Sequence, residues 1–433
     1  MSGPVQRSRS YLGLSFVVEH QPSSGQVHGT AILLLPPMGY EDTCAYRPLR
    51  VLADQLAQQG HLVQRLDWPG LGDSAGNAET PELIQQCITT VRQAAAALRA
   101  RGLRRVAAVG VRAGALLALA AGGAAVGGLD EVVLWAMPPR GKAYMREEST
   151  FHRMAAAAFG AVPDTAPRLP EGSVEAGGFW YSPSTVAAMN KLDSVELAAQ
   201  ATFERVLLIE RDGASPSAPL LAAFGQAGSP VQVQEGSGLR DLLENPYQAK
   251  MDPALAEGIV SWFKNAGPRL SVGPAGGSPE LRMTGVTGAL AGPGEVARVL
   301  ERPWLQPGGA GELSGILCLP ARPVQPGTPW TIFYNAGGIR RCGPNRLWTG
   351  AARALAARGR PSLRIDVRDV GDSDGTSVPH GDLEAMYAES SIDDATAAYD
   401  WVEAQSAAAI DVIGLCSGAF LGVQVAARRR VRR

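Results

Sequence analysis

The chain has 433 residues, 45% of them hydrophobic, and a formal net charge of −1 at neutral pH. That length calls for two or three domains with ample core, and the balanced charge excludes recruitment of nucleic acid by a global field. Five cysteines, odd in number and without a C-x-x-C pair or a His cluster, exclude a disulfide framework and predict no metal site.

In chain order, Arg7-Ser8-Arg9-Ser10 and an apolar stretch over 11–18 imitate a short secretion signal. Glu19-His20 follows without a small-residue cleavage site, so 11–18 is expected to be a first β-strand and the protein cytoplasmic. Residues 28–35 read as a strand, and Pro36-Pro37-Met38-Gly39-Tyr40 as a turn-rich loop. Leu49, Leu52 and Leu56 give helical spacing over 46–59, closed by Gly60. A strand over 62–66, a loop over 67–76 and a helix over 81–100 come next. Strands alternating with helices mean βαβ units and a parallel sheet. Residues 106–129 are apolar enough to suggest a membrane helix, but Arg112 and six glycines make a buried strand and a buried helix the better reading, with no membrane span.

Gly110-Val111-Arg112-Ala113-Gly114 lies in that stretch. It has the frame G-x-S-x-G, in which a strand turns sharply into a helix and lifts one side chain over the sheet edge. The centre is Arg112, which stays protonated and cannot attack a carbonyl. A second such frame, Gly414-Leu415-Cys416-Ser417-Gly418, has a thiol at its centre.

The two frames belong to a repeat. A shift of 299 residues carries Asp67 to Asp366, Gly39 to Gly338 and Gly72-Asp73-Ser74 to Gly371-Asp372-Ser373, and 12 of the 38 positions over 39–76 are identical without a gap. Chance identity is about one in fifteen to twenty, so a duplicated domain is expected. The first copy is assigned to 1–265 with a cap near 149–200, a Gly/Pro linker to 266–279, and the second, partial copy to 280–433. The second copy has only 19 residues beyond Gly414. Its bend strand is therefore expected at a sheet edge, covered by a homodimer contact or another partner unless the chain is part of a longer protein. The terminal Arg428-Arg429-Arg430-Val431-Arg432-Arg433 reads as a solvated helix end.

These motifs together, Asp67-Trp68-Pro69-Gly70-Leu71-Gly72-Asp73-Ser74-Ala75-Gly76 with both G-x-x-x-G bends, Asn335-Ala336-Gly337-Gly338 and Asp366-Val367-Arg368-Asp369-Val370-Gly371-Asp372-Ser373-Asp374-Gly375, resemble the α/β-hydrolase superfamily. They look closest to serine-hydrolase-like proteins of exosortase and exopolysaccharide gene clusters. The resemblance implies an α/β-hydrolase fold with a mostly parallel, doubly wound sheet, no cofactor, and a nucleophile–acid–His triad in that chain order.

In the first copy the implied acid is Asp212, with a solvated loop acid as the other reading, and no His follows the strand over 231–234. Tyr247 looks like its replacement. Phe179-Trp180-Tyr181 would line an acyl pocket or simply pack the cap. In the second copy the implied nucleophile is Cys416, at a helix start that favours thiolates in general. The amides of Ser417 and of Gly337 or Gly338 would bind an oxyanion, as the first loop would through Gly39 in the first copy. His380 is the sole candidate base there, with a solvent-facing His as its other reading, and a buried inert thiol is the other reading of Cys416. Acyl chemistry on a small-molecule ester or thioester follows. The rival is an inactive scaffold in which Arg112, at a helix N-terminus, grips a carboxylate or phosphate.

Overall fold

The computed structural model describes residues 5–159, 169–264, 269–273, 277–284, 298–309, 311–375, 384–406 and 408–432. They form two compact units. One comprises Met1–Leu243 with Lys250–Gly277, the other Glu244–Ala249 with Ser278–Arg433.

The strands of the first unit are β1 (Val5–Leu12), β2 (Ser15–Pro22), β3 (Gln26–His28), β4 (Thr30–Leu35), β5 (Leu62–Leu66), β6 (Arg105–Val111), β7 (Glu131–Trp135), β8 (Val174–Ala176), β9 (Phe179–Tyr181), β10 (Arg205–Ile209), β11 (Val231–Gln234) and β12 (Arg269–Ser271). Eight of them form one sheet in the order β1-β2-β5-β4-β6-β7-β10-β11. It is antiparallel from β1 to β5 and parallel from β5 to β11. Side chains of a strand alternate between its faces, and on β4 this is visible directly. Ile32 and Leu34 pack with the helices Tyr40–Gln58 and Pro253–Trp262, while Leu33 and Leu35 pack with Leu83–Ala100 and Ala113–Ala121. Both faces are covered, which is why β4 and β6 read as unbroken apolar runs.

Two local expectations change. Residues 11–18 are not one strand: the chain reverses after Leu12, with Gly13 at φ 57°, and two strands form a hairpin. The first helix starts at Tyr40, six residues before the expected start at 46, because Pro48 is tolerated within it and Asp42, Cys44 and Ala45 are buried there. Within the expected linker, β12 pairs antiparallel with β3.

The second unit has β13 (Leu281–Thr284), β14 (Arg298–Gly308), β15 (Gly311–Pro320), β16 (Trp330–Phe333), β17 (Ser362–Asp366) and β18 (Ile410–Ile413), in the sheet order β13-β14-β15-β17-β16-β18. Strands β17, β16 and β18 are parallel; the rest pair antiparallel. The helix Leu347–Ala357 covers one face, and Glu389–Gln405 with Ser417–Arg428 the other. Its five strands β14, β15, β17, β16 and β18 stand in the order of β1, β2, β5, β4 and β6. Strand β18 ends the order, and Ile413, Leu415 and Val423 around it are exposed. Arg428, Arg430 and Arg432 are exposed, as expected of a solvated helix end. Arg428 pairs with Glu389, Arg429 with Asp400 and Arg432 with Asp411.

The Gly-Asp-Ser turn is built the same way twice. Asp73 N–H donates to Asp67 Oδ2 at 2.8 Å, Ser74 Oγ donates to the Asp67 carbonyl, and Phe16 N–H donates to Ser74 Oγ. In the second unit Asp372 N–H reaches Asp366 Oδ2, Ser373 Oγ the Asp366 carbonyl, and Ser314 N–H Ser373 Oγ. Both hydroxyls are buried between the turn and the neighbouring strand, so this motif is structural. Ser74→Ala leaves a buried N–H and a buried carbonyl short of a partner and is expected to cost about 1–3 kcal/mol by urea unfolding.

Candidate functional site

Both G-x-x-x-G frames are sharp strand-to-helix bends. Arg112, at φ 54° and ψ −119°, precedes the helix Ala113–Ala121, and Cys416, at φ 56° and ψ −121°, precedes Ser417–Arg428. A non-glycine residue held at positive φ costs about 1–3 kcal/mol and persists only where surrounding structure over-determines it. The flanking glycines do that. A Cβ on Gly114 would collide with the carbonyl of Leu35, and one on Gly418 with the carbonyl of Asn335.

At the first bend the side chain is buried, with 4% of its surface exposed, and held by carboxylates. Arg112 Nε donates to Glu41 Oε1 at 3.0 Å and Nη2 to Glu147 Oε2 at 2.7 Å, while the guanidinium lies 5.4 Å from the centre of the Tyr144 ring. Arg211 Nη2 holds the same Glu147 at 2.6 and 2.8 Å. Burial acts to raise Glu147, but Arg112 and Arg211 outweigh it and hold its carboxyl below the usual range. Burial, with neighbouring Glu41, pushes buried Glu148 up to about 8. Glu148 accepts a hydrogen bond from Tyr181 Oη at 3.3 Å. With Glu148 protonated, two arginines face two carboxylates, Glu41 and Glu147.

Tyr181 also closes the first loop. Gly39 sits at φ 62°, and a Cβ there would collide with the Tyr181 hydroxyl. Tyr181 thus packs against Gly39. A helix, Gly141–Phe159, precedes and enters the segment 149–200. Asp212 does not approach Arg112: it is exposed and accepts from Leu239 N–H at 3.2 Å. Tyr247 groups with the second unit, where its backbone packs on Gly338.

A stability consequence follows from Glu148. Its folded value lies above the ordinary carboxyl value, so between them the folded state holds a proton that the unfolded chain has released. Stability is expected to fall as pH rises from about 4.5 to about 8 and to level off above, by a few kcal/mol at most. Glu148→Gln should flatten that fall in pH-dependent thermal unfolding.

Sequence reasoning missed Glu41, Glu147, Glu148 and Arg211. A signal existed: a buried arginine must be matched by carboxylates. Its acids come from 71 and 35 residues away, however, and no local pattern selects them.

At the second bend Cys416 is the exposed one of the five cysteines; Cys44, Cys87, Cys318 and Cys342 are buried. Tyr387 Oη lies 4.0 Å from its sulfur, and the Tyr387 ring packs edge-on against Phe420. Hydrogen bonding to Cys416 raises the Tyr387 phenol above its ordinary value. Ser417 is the first residue of the helix, where backbone N–H groups lack intrahelical partners. The Gly337 N–H donates to Ser417 Oγ at 2.9 Å, so it is engaged and not turned to an oxyanion. Gly338 is contacted by Tyr247: a Cβ on it would lie 2.7 Å from the Tyr247 nitrogen. His380 lies outside the described residues. Among the described residues no group of His, Cys, Asp and Glu could hold a metal, and no helix is long and apolar enough to cross a membrane.

No family model and no curated protein matches the chain. Solved structures similar to it include the proline iminopeptidase of Mycobacterium smegmatis, 16% identical over 59% of this chain and 97% of that one, with a TM-score of 0.41. Est1E from Butyrivibrio proteoclasticus is 12% identical over 60% and 96%, with a TM-score of 0.39. The acetyl xylan esterase from Paenibacillus sp. R4 is 15% identical over 61% and 88%, with a TM-score of 0.38. Similarity at this level carries neither substrate nor mechanism to this chain. What the chain itself presents is an α/β protein of two units, each with a sharp strand-to-helix bend, one centred on a buried arginine and one on an exposed thiol.

Proposed function

We propose that the chain is a duplicated α/β-hydrolase-type protein whose acyl chemistry is confined to the second unit, with Cys416 as nucleophile towards an ester or thioester. One observation carries this reading: the thiol is exposed at a bend whose backbone angles match those at Arg112 within 2°. The duplication draws support from the repeated hydrogen bonds of the two Gly-Asp-Ser turns and from the shared order of five strands.

In this reading the Cys416 thiol gives its proton to solvent, the sulfur bonds to the acyl carbon, the Ser417 and Gly338 amides face the tetrahedral oxyanion, and the bond to the leaving alkoxide or thiolate breaks. Tyr387 is the described side chain that hydrogen-bonds the sulfur, and a phenol donates to a thiolate rather than activating water. Acylation is therefore expected to outrun hydrolysis of the thioester. With p-nitrophenyl acetate the full chain should release a burst of about one equivalent of p-nitrophenolate, followed by slow turnover. The burst should vanish in Cys416→Ala at unchanged circular dichroism. A folded wild-type chain without a burst overturns the reading. It would leave the inactive scaffold, which is favoured by the engagement of the Gly337 N–H with Ser417.

A further inference from the structure

We infer that the first unit holds a site for an apolar monocarboxylate, with the carboxylate between Arg112 and Arg211 and the tail along the helix Gly141–Phe159, and that Glu147 holds the head-group position until such a ligand displaces it. This inference is independent of Cys416.

The bend at Arg112 opens a helix of nine residues, Ala113–Ala121, whose N-terminus favours a negative charge. The guanidinium is 96% buried, yet its Nη1 has no hydrogen-bond partner among the described residues. A buried arginine donor left over is the exception in folded proteins and points to a group that completes it. Glu147 shows how a carboxylate binds here. It bridges Nη2 of Arg112 at 2.7 Å and Nη2 of Arg211 at 2.6 Å, and it is the more exposed of the two acids on Arg112, 34% against 13% for Glu41. An acid with a third of its surface in water loses little solvation when it turns outward. A ligand carboxylate in its place keeps both bridges, and its second oxygen can meet Nη1.

The tail follows from helical spacing. Glu147, Phe151 and Met154 are i, i+4 and i+7, on one face of the helix. Phe151 is 41% exposed and Met154 69%. Tyr40, next to Glu41 in sequence, stacks on Phe151 with ring centres 5.5 Å apart. The face thus runs from a carboxylate held by two arginines onto exposed apolar and aromatic groups, the order of a straight-chain acid. The head carries one charge. It replaces the single charge of Glu147, whereas a phosphate dianion would add a second beside Glu41.

Calorimetric titration of the full chain at pH 7 with octanoate, and with octanol as the uncharged control, tests this. Glu147→Gln removes the internal competitor and should bind octanoate at least about tenfold more tightly than wild type. Adding Arg211→Gln should return it to wild-type affinity or weaker. Octanol should show no such gain. Equal octanoate affinity in wild type and folded Glu147→Gln overturns the inference, as does an equal gain for octanol. If Glu147→Gln does not fold, Arg211→Gln alone serves, because Arg211 is 39% exposed. It should weaken wild-type octanoate binding about tenfold, and unchanged binding overturns the inference.

Discussion

Arg112→Ser, which rebuilds G-x-S-x-G in the letters of the sequence, is expected to give no esterase and a less stable protein. The loss should be about 3–5 kcal/mol, the cost of removing one partner of a buried ion pair and leaving the other charge uncompensated. Glu41 suffers most. Its Oε1 loses the guanidinium, its Oε2 already lacks a partner among the described residues, and burial raises its carboxyl value despite Arg112. A serine there would meet Glu41 and Glu147, with no imidazole: among the described residues the histidines of this unit are tied up elsewhere. His20 is fully buried, its value pushed down to about 4 chiefly by burial, and is bonded to Asp54 and Arg65. His61 is likewise pushed down to about 4 by burial and bonded to the Thr30 carbonyl. His28 approaches the Gln59 carbonyl, and half-buried His152 approaches Glu175. Chemical denaturation and p-nitrophenyl acetate turnover of the variant check both halves. Turnover by Arg112→Ser in a Cys416→Ala background, where the second bend is silent, would show that a latent triad is present.

Arg341→Met should destabilise the second unit by a similar amount, about 3–5 kcal/mol. Arg341 is fully buried and joins Asp366, at 2.5 Å, to Asp372, at 3.0 Å. These two aspartates come from the turn that packs β17 against β15. Burial, more than any neighbour, raises Asp366, and Arg341 opposes that rise. Without the guanidinium two buried carboxyls face each other, and at least one must take up a proton. The midpoint of the second unit's urea transition should therefore fall steeply at neutral pH and recover in part as pH is lowered. A variant with wild-type stability at pH 7 would mean that the aspartates are held by the backbone amides alone.

Much of the fold was legible in the sequence. The unbroken apolar runs of β4 and β6 announced strands covered on both faces, and the shift between Asp67 and Asp366 marked two turns that share one hydrogen-bond pattern. The G-x-x-x-G frames announced two bends, for a reason separate from chemistry. Gly114 and Gly418 lie so close to a neighbouring carbonyl that no side chain fits, whatever stands at the centre. The bend thus forms without a nucleophile at its centre, as at Arg112. What sequence could not decide was which distant groups meet there. Asp212 had the expected chain position, but it stands exposed in the loop after β10 and its carboxylate turns to Leu239. Arg211, one residue earlier, is the one that reaches inward to Glu147.

Local spacing and residue type by themselves determined the strands, the bends and the exclusion of a serine nucleophile at Arg112, because backbone sterics and burial act over a few residues. The ion cluster of Glu41, Arg112, Glu147 and Arg211, the engagement of Gly337 by Ser417 and the exposure of Cys416 were decided only by tertiary structure. Charge pairing and solvent access depend on which distant segments fold onto the same sheet edge, and neighbours in space leave no mark on neighbours in sequence.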